Sequence, residues 1–81
     1  MKKRTALIAL RIRHNLTQEQ IAERLEVTRG AYSQIELGTR DGRFDFWQRL
    51  QKEFNLTDSE TWAILKNEDG KQKETRQKVY N

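Results

Sequence analysis

Thr17 and Thr28 stand eleven residues apart, and each carries the signature of a helix start. The Thr17 hydroxyl can accept from a free backbone amide of the first turn, and Gln20, three residues on, can reach back to complete a capping box. Leu16, just before the cap, can staple onto Ile21. Thr28 offers the same kind of cap to a stretch from Arg29 to Leu37 with Tyr32 and Ile35 turned inward. Two starts this close leave room only for a short helix to about Leu25, burying Ile21, Ala22 and Leu25, and a tight Glu26-Val27 link.

The rest of the chain reads the same way. Lys3 to His14 carries Leu7, Leu10 and Arg11 at three-and-four spacing, with Ile8 and Ile12 as a second stripe, and Asn15 closes that helix. Tyr32 to Leu37 also alternates enough to be read as a strand, but no partner strand is evident. Gly38 ends the third helix, and Thr39 to Arg43 is the longest polar loop. Phe46, Trp47, Leu50 and Phe54 stripe a fourth helix that stops at Asn55. Thr57 and Glu60 form another capping box, opening a short fifth helix to about Asn67 with Trp62, Ile64 and Leu65. With no cysteine, no proline and four glycines in 81 residues, a disulfide or thiolate zinc site is excluded and a turn-rich β-sandwich disfavoured. The expectation is an all-α domain over residues 1–67, packed without covalent help, and a charged, solvated tail over 68–81 that is apolar only at Val79 and Tyr80.

Lys2, Lys3, Arg4, Arg11 and Arg13 put five positive charges, and no negative one, into the first fourteen positions. Arg40 and Arg43 form a smaller cluster, and the whole chain carries a formal net charge of +4. Such a balance suits a polyanionic partner but does not by itself establish one. The basic start followed by Thr5 to Leu10 looks like a signal peptide, yet Arg11 and Arg13 interrupt the apolar run and no cleavage site follows. No segment approaches the length of a membrane helix, so no membrane association is expected and the cytoplasm, near the nucleoid, is the simplest home. His14 has no nucleophile or ligand set near it in the pattern and reads as a residue at a helix end; no catalytic residue, metal or cofactor is expected.

Two short helices separated by a few residues, with a small Ala22 where another helix can cross closely, are what a helix-turn-helix requires. The stretch from Leu16 to Gly38 resembles the Cro/C1-type (XRE-like) helix-turn-helix family of bacterial and phage regulators. Ile21, Ala22, Leu25, Val27, Tyr32 and Ile35 fall at that family's buried positions, and Gln18, Glu36 and Gly38 match its polar signature. The resemblance extends over residues 7 to about 65.

It implies a compact five-helix, lambda-repressor-like domain whose third helix enters the major groove of double-stranded DNA while the second lies across the backbone. On that reading Arg29, Gly30 and Gln34 take base-reading positions flanked by Thr28 and Ser33, with Arg29 suited to guanine or to a phosphate and Gln34 to adenine. Thr17, Gln18 and the start of the second helix would hold a phosphate. Thr39, Arg40 and Arg43 would grip the neighbouring backbone, and Lys2, Lys3 and Arg4 would add an electrostatic arm. Arg11 and Glu36 correspond to a structural ion pair between the first and third helices.

Two positions depart from the family pattern. Glu26 stands where a turn glycine is usual, at a site that favours positive φ, and Gly30 removes a base-reading side chain. The resulting expectation is a Cro-like repressor binding a two-fold operator as a homodimer, with Trp62, Ile64, Leu65, Val79 and Tyr80 as dimer candidates and Trp62 equally a core candidate. The alternatives are an antitoxin or antirepressor that binds a protein partner through the tail, and a controller of a restriction system.

Overall fold

In the computed structural model, which describes residues 3–67, five helices follow one another: α1 (Thr5–Arg13), α2 (Gln18–Arg24), α3 (Arg29–Leu37), α4 (Phe44–Glu53) and α5 (Asp58–Lys66). Among the described residues there is no strand, and Tyr32 to Leu37 lies wholly in α3. Thr17 and Thr57 complete reciprocal capping boxes with Gln20 and Glu60, and the Thr28 hydroxyl accepts from the Ala31 amide at 3.1 Å. These caps fill donors that a helix start otherwise leaves open.

Helix ends are set by left-handed residues. Asn15, Asn55, Asn67 and Gly38 all adopt positive φ, as suits the two residue types that tolerate it best. Glu26 does the same at φ 60, in the link between α2 and α3, where a β-carbon is disfavoured. The Val27 amide nevertheless reaches back to the Ala22 carbonyl at 3.0 Å and closes the turn.

Leu7, Leu10, Ile21, Leu25, Tyr32, Ile35, Leu50 and the rings of Phe46 and Trp47 form one core, with Leu16, Val27, Phe54 and Leu56 packed around it. Ala22 is buried where α2 meets α3. Ile12, expected on a second apolar stripe, is exposed, because α1 turns its Leu7 and Leu10 side to the core. Helix α1 also begins two residues later than its apolar pattern suggested. Arg4 is non-helical, and its amide donates to the Glu36 carbonyl at 2.9 Å rather than entering the helix.

The first and last described residues meet. Asn67 caps α5, and its Nδ2 donates to the Lys3 carbonyl at 2.8 Å. No helix among the described residues is long and apolar enough to cross a membrane.

Candidate functional site

Helix α3 has two faces of different character. Tyr32, Ile35 and Glu36 are buried, whereas Arg29, Gly30, Gln34 and Leu37 are exposed and Ser33 is half-buried. The outward residues recur at helical spacing, so Arg29, Gly30, Ser33 and Gln34 form one continuous surface. A β-carbon at Gly30 would meet no atom within 4 Å, so the fold itself does not require glycine there. The Thr28 hydroxyl is committed to its cap and lies at the edge of this surface.

Glu36 fixes the orientation of α3. Its carboxylate accepts from Arg11 Nε at 2.7 Å, from Gln18 Nε2 at 2.8 Å and from the Tyr32 hydroxyl at 2.7 Å, while Arg11 Nη1 donates to the Leu16 carbonyl at 3.0 Å. Burial alone would push the Glu36 carboxyl up, but the three donors together outweigh it and hold it below the usual carboxylate range. The Glu36 hydrogen bond raises Arg11 further, and burial with the same carboxylate pushes the Tyr32 phenol up. At neutral pH the cluster is therefore a carboxylate, a guanidinium and a neutral phenol.

Gln18, expected at a phosphate, thus spends one side-chain N–H on Glu36; the amide group has a second, and helix geometry leaves the backbone N–H groups of Gln18 and Glu19 without intrahelical partners. The Thr17 hydroxyl caps the Gln20 amide. Through the Gln18–Glu36 bond the start of α2 lies next to the C-terminal end of α3.

Beyond α3, Gly38 turns the chain at φ 85 and the loop to α4 is pinned back onto the helix. Thr39 and Arg40 both donate their amides to the Gln34 carbonyl, at 3.0 and 3.3 Å, and the Thr39 hydroxyl joins them at 3.2 Å. Trp47 Nε1 donates to the Asp41 carbonyl at 3.1 Å. Gly42, at φ 85, lies against that indole so closely that a β-carbon would sit 2.8 Å from Nε1. On this loop Arg40 and Arg43 are exposed.

Arg4 is not where an electrostatic arm would put it. The side chain is buried, and its guanidinium donates to the carbonyls of Ile35, Arg40 and Leu65. Lys3 is exposed; Lys2 lies outside the described residues. Of the residues expected at a dimer contact, Ile64 belongs to the core because it shares a face with buried Thr61, and Leu65 is half-buried with its carbonyl taken by Arg4. Trp62 is exposed, with Lys66 Nζ 5.0 Å from its ring centroid, so it is not a core residue. Val79 and Tyr80, with the whole segment 68–81, lie outside the described residues.

The reach of the Tyr32 hydroxyl to Glu36, the inward turn of Arg4 and the indole bond of Trp47 were not expected from the sequence. Helical spacing does carry a signal for two of them: Tyr32 and Glu36 are four apart, and Arg4, Leu7 and Arg11 fall on one stripe. His14 ends α1 with its ring 4.7 Å from that of Phe54, and no group of three or more potential metal ligands occurs among the described residues.

A family model described as helix-turn-helix matches residues 7–60, two thirds of the chain. Comparison with curated proteins and with solved structures finds no match.

Proposed function

Because the chain belongs to the Cro/C1-type helix-turn-helix family of DNA-binding transcription regulators, we propose that it is a Cro-like repressor that reads a two-fold operator as a homodimer. The observation that supports this most is the outward surface of α3. It carries Arg29, Ser33 and Gln34 opposite the buried Tyr32, Ile35 and Glu36, beside a loop that offers exposed Arg40 and Arg43.

In this reading Arg29 donates to guanine and Gln34 bonds adenine, each good bidentate pair contributing about 1 to 3 kcal/mol of discrimination. Thr28 and Ser33 flank them. Gln18, the start of α2, Thr39, Arg40 and Arg43 hold phosphates, adding affinity and salt dependence without choosing a base. Gly30 lets the base edges or sugars approach α3 closely, so part of the selectivity comes from DNA shape. A single domain of this size covers too little DNA for high specificity, which favours a dimer, and exposed Trp62 on α5 is the contact we assign to it.

The test is selection of bound duplexes from a random pool at moderate salt, with Arg29→Ala and Gln34→Ala in parallel. An enriched palindrome whose preference relaxes at defined positions in each variant is the expected result. Binding without any enriched sequence would reject base readout, and enrichment of single half-sites would reject the dimer.

A further inference from the structure

Arg4 binds carbonyls on three separate parts of the fold. Its Nη1 donates to Ile35 O at 2.8 Å and to Arg40 O at 3.0 Å, and its Nε donates to Leu65 O at 3.3 Å. Its backbone amide adds the Glu36 carbonyl at 2.9 Å. The last carbonyls of a helix lack intrahelical partners and carry the negative end of its dipole, so Arg4 satisfies the Glu36 carbonyl, adds a second donor to the Ile35 carbonyl beside the Gly38 amide at 3.2 Å, and places a cation at the end of α3. The guanidinium carbon stands 5.4 Å from the centroid of the Trp47 ring, whose own N–H holds Asp41. Asp41 Oδ1 lies 3.9 Å from Nη2 but is fully exposed, so that ion pair adds little.

The same few residues connect two kinds of proposed contact. Gln34 supplies a base-reading side chain, and its carbonyl holds the amides of Thr39 and Arg40. Arg4 then fastens the other side of that loop, through the Arg40 carbonyl, to the Ile35 carbonyl one residue along α3. We propose that Arg4 is a positioning residue for DNA binding, a buried clasp that holds the backbone of the loop bearing Arg40 and Arg43 against α3 so that phosphate grip and base readout engage together. It acts through the loop and touches no DNA. The inference rests on the DNA-binding reading above.

Lysine retains the charge of Arg4 but has no planar fork able to reach Ile35, Arg40 and Leu65 together. Arg4→Lys therefore separates a clasp from an electrostatic arm. The full chain, its Arg4→Lys and Trp47→Phe variants, and Arg4→Lys in an Arg40→Ala/Arg43→Ala background are titrated with a fluorescent mixed-sequence duplex over a range of salt. Thermal melts confirm that each is folded. Arg4→Lys should bind about tenfold more weakly at low salt, with the salt slope reduced by about 1 to 2, the loss of one or two phosphate contacts.

Trp47→Phe, which keeps an aromatic ring but deletes the N–H to Asp41, should fall between Arg4→Lys and the wild type. In the double-alanine background Arg4→Lys should change nothing further, whereas general destabilisation would weaken binding equally in both backgrounds and overturn the proposal. Wild-type binding by folded Arg4→Lys would also overturn it. If that variant does not fold, Trp47→Phe decides: a reduced slope supports the clasp and an unchanged one removes it. Failure of the wild type to bind any duplex would instead sink the DNA-binding reading itself.

Discussion

Arg11 of α1 and Glu36 of α3 are joined by a charge-assisted hydrogen bond of 2.7 Å, and both side chains are largely shielded from water. The bond links the first helix to the end of the one that carries the outward surface, and Glu36 also holds Gln18 at the start of α2. Three helices are thus oriented by one carboxylate.

Removing Arg11 leaves that carboxylate buried with only the neutral donors of Gln18 and Tyr32. Arg11→Ala should lower stability by about 3 kcal/mol, read as a marked fall in the denaturant midpoint at unchanged slope. A midpoint equal to that of the wild type would mean the pair contributes no more than an exposed one.

The same cluster sets a pH dependence. The Glu36 carboxyl is held below its ordinary value in the folded state, so its contribution is complete above the unfolded carboxylate pKa and is lost as pH falls through the depressed folded one. Stability should be flat near neutrality and decline below about pH 4 to 5. Glu36→Gln should be less stable at neutral pH and lose less on acidification. Parallel pH profiles for the two proteins would remove Glu36 as the source.

Glu26 is the one non-glycine, non-asparagine residue at positive φ among the described residues. Its carboxylate lies 3.4 Å from Arg49, but Glu26 is exposed and Arg49 only half-buried, so the pair is worth under about 1 kcal/mol. Glu26→Gly relieves backbone strain of about 1 kcal/mol or more and should raise the melting temperature by a few degrees. A lower melting temperature would show that the Arg49 contact outweighs the strain.

Two glycines should respond oppositely to alanine. At Gly30 the space is open and the backbone helical, so Gly30→Ala should add about 1 kcal/mol to stability. At Gly42 the added carbon meets the Trp47 indole and φ is left-handed, so Gly42→Ala should lose about 2 kcal/mol. Calorimetric melts of both variants decide this, and equal shifts would contradict the contrast.

The helix starts were legible because capping is local: Thr17, Thr28 and Thr57 announce themselves within four residues, and the helices begin there. The left-handed ends at Asn15, Gly38 and Asn55 were legible for the same reason. The core stripes of α2, α3 and α4 follow from period. Arg4 was misleading because neighbouring lysines make it look like part of a basic arm, and only the tertiary arrangement brings Ile35, Arg40 and Leu65 to it. Hydrophobicity alone groups Ile64 with Trp62, but which of the two apolar residues faces in depends on how α5 is rotated against α1. Within the candidate surface, the inward turn of Tyr32 and Ile35 follows from spacing and the outward positions Arg29, Gly30 and Gln34 from the family resemblance, whereas the loop that carries Arg40 and Arg43 is shaped by Gly42, Trp47 and Arg4 acting from other parts of the chain.

The bond from Asn67 to the Lys3 carbonyl makes the described chain a nearly closed circuit. A short linker from Asn67 to Lys3 would complete the ring, and the ring could be cut at the exposed Asn55 turn between α4 and α5 without interrupting a helix. A circularly permuted chain beginning with α5 should then keep the same helix contacts, and a cooperative thermal melt of that variant checks whether the linear order of the helices matters to their packing.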